Sequence, residues 1–131
     1  MTCWTRWLTW WPTLAPPTGL DPRGLSHNAA IVEAYRRDPR VHDRISVRAY
    51  HELQTAMAQA QALAGRVQPP TLLLFGAEDP IISVEACRSF GEQLRCSHCI
   101  IEYPGCYHEL QHEPAREDAA KAIASWSLTD D

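Results

Sequence analysis

No stretch of this sequence holds the roughly 20 consecutive apolar residues that a bilayer-spanning helix requires. Pro12, Pro16 and Pro17 interrupt the only strongly apolar stretch, near the start, so no transmembrane segment is expected and the chain reads as soluble. Positive charge is also short: 16 acidic residues stand against 12 basic ones, a formal net charge of −4 over 131 residues, so no overall field exists to draw in a polyanion and nucleic acid is not an expected partner. The opening MTCWTRWLTWW has one arginine and four tryptophans but no uniform apolar core followed by a small-residue cleavage site, so it does not read as a secretory signal. With no export signal, the odd number of cysteines, five, points to reduced thiols rather than a disulfide framework, and the expected location is cytoplasmic. Internal repeats and low-complexity tracts are lacking too, and the length suits one modest domain.

What is present changes character along the chain. Trp4, Trp7 and Trp11 in the Trp/Pro-rich segment 1–20 fall at helical spacing. That pattern suits a peripheral contact with a lipid interface, or equally a short buried or poorly ordered terminus. From Ser26, taken as the N-cap, to Arg37 the residues Ala30, Ile31, Ala34 and Tyr35 describe a short amphipathic helix that stops at Asp38-Pro39. A second helix is predicted from about Ile45 to Ala64, with Ala49, Leu53, Met57 and Ala60 recurring on one face and Gly65 ending it. After Pro69-Pro70 the period changes. Thr71–Phe75 is a continuous apolar run of the kind found in strands buried on both faces, and such strands belong to parallel sheets. A helix over Ser83–Arg95 with Val84, Cys87 and Phe90 on one side follows. Then come a strand over Cys99–Tyr103 and a final helix from about Glu113 to Ser127, with Ala119, Ala122, Ile123 and Trp126 placed to pack on the sheet. The order strand, helix, strand, helix predicts an α/β arrangement over the last 60 or so residues.

In parallel α/β sheets the loops at the carboxyl ends of the strands line the functional crevice. The loop after Phe75 reads Gly76-Ala77-Glu78-Asp79-Pro80, and the loop after Tyr103 reads Pro104-Gly105-Cys106-Tyr107-His108-Glu109. A carboxylate on one loop and an imidazole on the next can meet, the acid fixing the tautomer of the histidine and stabilising the imidazolium formed during acyl transfer. Asp79 and His108 are the candidate catalytic residues. Each alone also has an ordinary reading, Asp79 as a turn former before proline and His108 as a surface or packed histidine. Their joint position after two successive strands is what singles them out.

These two segments, Pro70–Asp79 and Tyr103–Glu109, resemble the acid and histidine loops of α/β-hydrolases of the monoacylglycerol lipase and lysophospholipase type, the serine aminopeptidase S33-type hydrolases. Leu25-Ser26-His27-Asn28, Tyr35-Arg36-Arg37-Asp38-Pro39 and the helix near 45–64 resemble the cap over the acyl site of that family, and Glu113-Pro114 before the last helix also fits. The resemblance spans about residues 18–127 and implies a partial α/β-hydrolase fold. Segment 21–66 would be a helical cap, and 67–131 the carboxy-terminal part of the core, with the last two parallel strands and their flanking helices. It further implies hydrolysis of lipid or acyl esters through a Ser-His-Asp triad, with no cofactor and no metal.

The pattern lacks one part of that machinery. A nucleophile elbow needs a G-x-S-x-G turn between strand and helix, and none occurs; the nearest approach, Gly24-Leu25-Ser26-His27-Asn28, has no final glycine and reads as a helix start. No HGGG-like oxyanion segment occurs either, so the chain on its own is expected to be inactive. The Trp-rich start does not continue the resembled cap, and a G-x-S-x-G in the upstream coding frame would restore the enzyme reading. The open edge of a sheet without its remaining strands invites association. Two other readings stay open: a non-catalytic interaction chain, and a zinc module built on Cys96, His98, Cys99, Cys106 and His108. Ile81 and Ile82, after the acid, are candidate acyl-pocket residues or ordinary packing; His112 reads as solvated.

Overall fold

The apolar run after Pro70 does form a strand, and its parallel partner lies one helix further along the chain. The computed structural model describes residues 14–128. Its helices are α1 (Ala29–Arg37), α2 (Val47–Leu63), α3 (Val84–Gln93) and α4 (Arg116–Ser127), and its strands are β1 (Thr71–Gly76) and β2 (His98–Tyr103). Single 3-10 turns occupy Pro22–Gly24, Ala64–Arg66 and Leu110–His112. The tryptophans at 4, 7 and 11 lie outside the described residues. None of the described helices is long and apolar enough to cross a membrane.

β1 and β2 pair in parallel with Thr71 opposite His98 and Gly76 opposite Tyr103, so both strands end at the same level. The parallel direction follows from the connection: α3, N-capped by the Ser83 hydroxyl on the Ala86 amide, carries the chain back to the start of the sheet. Glycine at 91 lets α3 approach β2, because a Cβ there would run into the side chain of Ile100. The Arg88 guanidinium on α3 holds the Glu102 carboxylate on β2, with 2.9 Å between Nε and Oε2. This pair pulls the Glu102 carboxyl below its ordinary range. A small core of Leu25, Val32, Ala64, Phe75, Leu94, Cys106 and Ala119 runs from the first turn to the last helix.

Several sequence expectations are corrected. Ser26 is not the cap of the first helix; Asn28 is, its side chain accepting from the Ala30 amide, and Val32 is the residue that α1 buries. Ser46 caps α2 through the Ala49 amide, yet α2 buries no residue, and Leu53 and Met57 of its predicted apolar face stand about half exposed together with Tyr50. Amphipathic spacing needs a facing partner to become burial, and among the described elements α2 packs chiefly on its own C-terminal turn and on α3. Leu72, Leu73 and Leu74 are half-buried rather than closed in on both faces, and among the described residues β1 is paired along one edge only. The last helix begins at Arg116, after a 3-10 turn, and Ile123 is 54% exposed while Ala119 is buried. Ile123 therefore overhangs a sheet that is two strands wide.

Candidate active site

Two loops leave the sheet side by side and are stitched together by backbone hydrogen bonds. The Ala77 amide donates to the Tyr103 carbonyl (2.9 Å) and the Glu78 amide to the Cys106 carbonyl (3.1 Å). Gly76 makes this approach possible: a Cβ at that position would collide with the carbonyl oxygens of Cys106 and Tyr107. Gly105 takes φ +67°, a left-handed conformation that turns the chain sharply after β2 at no steric cost to glycine.

The loops bring Asp79 and His108 together. His108 Nδ1 lies 2.8 Å from Asp79 Oδ2. The other carboxylate oxygen, Oδ1, accepts from the amides of Ile81 (2.8 Å) and Ile82 (3.2 Å). Those two backbone donors follow from the Asp-Pro turn, in which the side chain bonds to the backbone just ahead of it, and they fix the plane of the carboxylate. The Asp79 side chain is 1% exposed and the His108 ring 37% exposed, so a shielded acid supports a reachable imidazole. An ionised carboxylate can only accept, so the proton between them sits on Nδ1 and leaves Nε2 as the free acceptor of the ring. That is the tautomer a general base requires. Cys87 lies close enough for burial, and secondarily the Asp79 charge, to push its thiol pKa upward.

A second imidazole–carboxylate pair, which spacing alone does not reveal, lies behind the first. The Glu113 side chain is fully buried and gathers four donors: the Ser26 hydroxyl (2.7 Å), the His27 amide (2.8 Å), His27 Nδ1 (2.6 Å) and the Tyr107 amide (2.9 Å). Burial by itself would raise the pKa of this carboxyl, but the hydrogen bonds outweigh it and hold it down at about 2. The His27 ring stacks on Tyr107 with centroids 3.7 Å apart. In the sequence Glu113-Pro114 reads as the start of the last helix and as part of the family resemblance, not as a buried carboxylate. Three of the four donors to Glu113 lie 86 or 87 residues away, on Ser26 and His27, beyond the reach of any local pattern.

The remaining candidates fall as follows. Ile81 lines an open cavity of about 1130 Å³ together with Tyr35, Arg36, Pro80 and Tyr107. Ser26 is buried with its hydroxyl directed at Glu113 and the His112 carbonyl, so its side chain caps no helix and is engaged away from solvent. The zinc reading is overturned: among the described residues no group of three or more His, Cys, Asp and Glu side chains is arranged around a metal position. His98 Nδ1 instead donates to the Cys96 carbonyl, the Cys96 thiol faces the Thr71 hydroxyl, Cys106 is buried and His108 is taken by Asp79.

Comparison with known proteins identifies the family and the fold. The model of the family described as "Serine aminopeptidase, S33" matches residues 1–115. The chain belongs to the S33 serine aminopeptidase family. Among curated relatives, the monoacylglycerol lipase of Mycolicibacterium smegmatis is 28% identical over 123 residues, covering 87% of this chain and 41% of the relative. The phospholipase YtpA of Bacillus subtilis is 27% identical over 121 residues, covering 88% of this chain and 46% of the relative. The crystal structure of the Paleococcus ferrophilus monoacylglycerol lipase superposes with a TM-score of 0.86 at 32% identity, over 98% of this chain and 53% of that one. The chain thus spans about half the length of the relatives it matches, and its two parallel strands with flanking helices are part of an α/β-hydrolase fold.

Proposed function

We propose that this chain forms the acid-and-histidine portion of a serine hydrolase that cleaves lipid esters of the monoacylglycerol or lysophospholipid type. The observation that carries the reading is the 2.8 Å contact between His108 Nδ1 and an Asp79 carboxylate whose other oxygen is tied to two backbone amides. In this scheme Asp79 holds the imidazole with Nε2 unprotonated. Nε2 takes the proton of a serine hydroxyl as the ester carbonyl is attacked and returns it to the departing glycerol oxygen. It then draws a proton from the water that releases the fatty acid. No cofactor or metal enters these steps. Residues 21–66 serve as the cap above the acyl site and 67–131 as part of the core. The names of the relatives, a monoacylglycerol lipase and a phospholipase, support the substrate class.

The serine must come from a nucleophile elbow, and no G-x-S-x-G occurs among these 131 residues. The isolated chain should therefore not turn over a short-chain nitrophenyl ester. The hydrolase reading is tested by grafting this chain onto the part of the Paleococcus ferrophilus lipase that it does not cover. The graft should release fatty acid from a monoacylglycerol, and Asp79→Asn should lower its rate by roughly 10⁴-fold, the scale seen when a triad loses its orienting acid. A folded graft whose activity survives His108→Ala would sink the assignment.

A second reading, association without catalysis, is favoured by one feature: β1 has an unpaired edge among the described residues. The occupant that fits best is a polypeptide carrying the remaining strands of the same sheet, which would unite both readings.

A further inference from the structure

The segment from Gly24 to His27 touches both loops of the candidate site. Gly24 packs so closely on the acid loop that a Cβ would lie 2.7 Å from Pro80 Cγ. Leu25 accepts from the Glu109 amide through its carbonyl (2.9 Å), next to His108 in sequence. Ser26 and His27 are tied to the histidine loop through Glu113, whose Oε1 takes the Ser26 hydroxyl and the His27 amide while Oε2 takes His27 Nδ1 and the Tyr107 amide. Tyr107 is then held from two sides, by this bond on its backbone and by the stacked His27 ring on its side chain. The residue that follows it is His108.

We infer that Glu113 is a positioning residue for His108, clamping residues 26 and 27 to the Tyr107 amide so that the imidazole keeps its bond to Asp79. This rests on the reading of His108 as the proton carrier of an ester hydrolase. The chemistry suits the task. A carboxylate offers four lone-pair sites and here meets four donors with none left over, and in a buried site each donor is costly to strand. A neutral amide at the same place could accept at one atom only, and its NH2 group, on either side, would face a backbone amide, of Tyr107 or of His27, that can only donate. The clamp between residues 26–27 and Tyr107 would then open while Asp79, held by the Ile81 and Ile82 amides, would stay in place. The predicted fault is local: an intact acid facing a loosened histidine.

The whole chain carries the test. The exchange rate of the His108 Nδ1 proton with solvent is measured by nitrogen-15 NMR, alongside backbone amide exchange in β1 and β2. Glu113→Gln should speed His108 proton exchange at least tenfold with strand amides unchanged, and Ser26→Ala, which removes one donor of the four, should do so by a smaller factor. Unchanged His108 exchange in a folded Glu113→Gln chain overturns the proposal, as does an acceleration matched equally by the strand amides, which would mean general loosening. If Glu113→Gln does not fold, Ser26→Ala decides by the same criteria. Absence of a slowly exchanging Nδ1 proton in the unaltered chain overturns the Asp79–His108 reading as well; its presence with no response to the variants overturns this inference alone.

Discussion

At the scale of single residues, two carboxylates do different work because their donors differ. Asp79 is supplied by two amides and one imidazole, so it points and holds. Glu113 is supplied by four donors from two separate stretches of chain, so it joins. The lowered pKa of Glu113, about 2 against an ordinary 4.5, links the join to pH. Its folded-state pKa lies below its unfolded value, so the stabilisation is fully present above pH 4.5 and is lost as pH falls through about 2. The urea midpoint of the chain should therefore decline on acidification between about pH 5 and pH 2. In Glu113→Gln the midpoint should start lower and this part of the slope should flatten; an equally steep decline in the variant would show that other groups carry it. Asp79 and His108 are both legible in the sequence because each stands in a loop straight after an apolar run. Glu113 is not, because a buried carboxylate is defined by donors that only folding brings near.

Elements obey the same division between local and distant causes. Both strands and the four described helices were predictable from apolar periodicity and from proline and glycine punctuation, since these act within a few residues. What the pattern could not supply is the surroundings. Leu53 and Met57 have the spacing of a buried face but half-exposed positions, and Ser26 gave up the role of helix cap to Asn28 because Glu113 engages it. The junction between β1 and the histidine loop makes its own prediction. Gly76→Ala puts a methyl group against rigid backbone carbonyls, whereas Gly91→Ala meets the flexible end of the Ile100 side chain. Gly76→Ala should cost about 3 kcal/mol or more and disturb the Asp79–His108 contact, while Gly91→Ala should cost about 1 kcal/mol by side-chain rearrangement. Chemical denaturation of the two variants measures the difference, and equal costs would contradict the close approach at Gly76.

For the whole molecule, the described residues form a two-stranded parallel sheet with a small core and an α2 face that presents Tyr50, Leu53 and Met57 to solvent. A sheet so narrow has little independent stability, and an unpaired β1 edge, together with exposed apolar side chains on α2, favours association. Sedimentation velocity should show species larger than one chain growing with concentration, and a lysine in place of Leu72 should shift the distribution toward the monomer. A single sharp monomer boundary at all concentrations would show that the edge is blunted. The central claim, however, concerns the pair at the rim of that sheet. Its most direct test is the nitrogen-15 spectrum of the His108 ring at neutral pH in the unaltered chain and in Asp79→Asn. The geometry predicts a proton on Nδ1 and a bare Nε2 in the first, and in the second a loss of that preference. A ring protonated on Nε2 from the outset, or one indifferent to the loss of the Asp79 carboxylate, would contradict it.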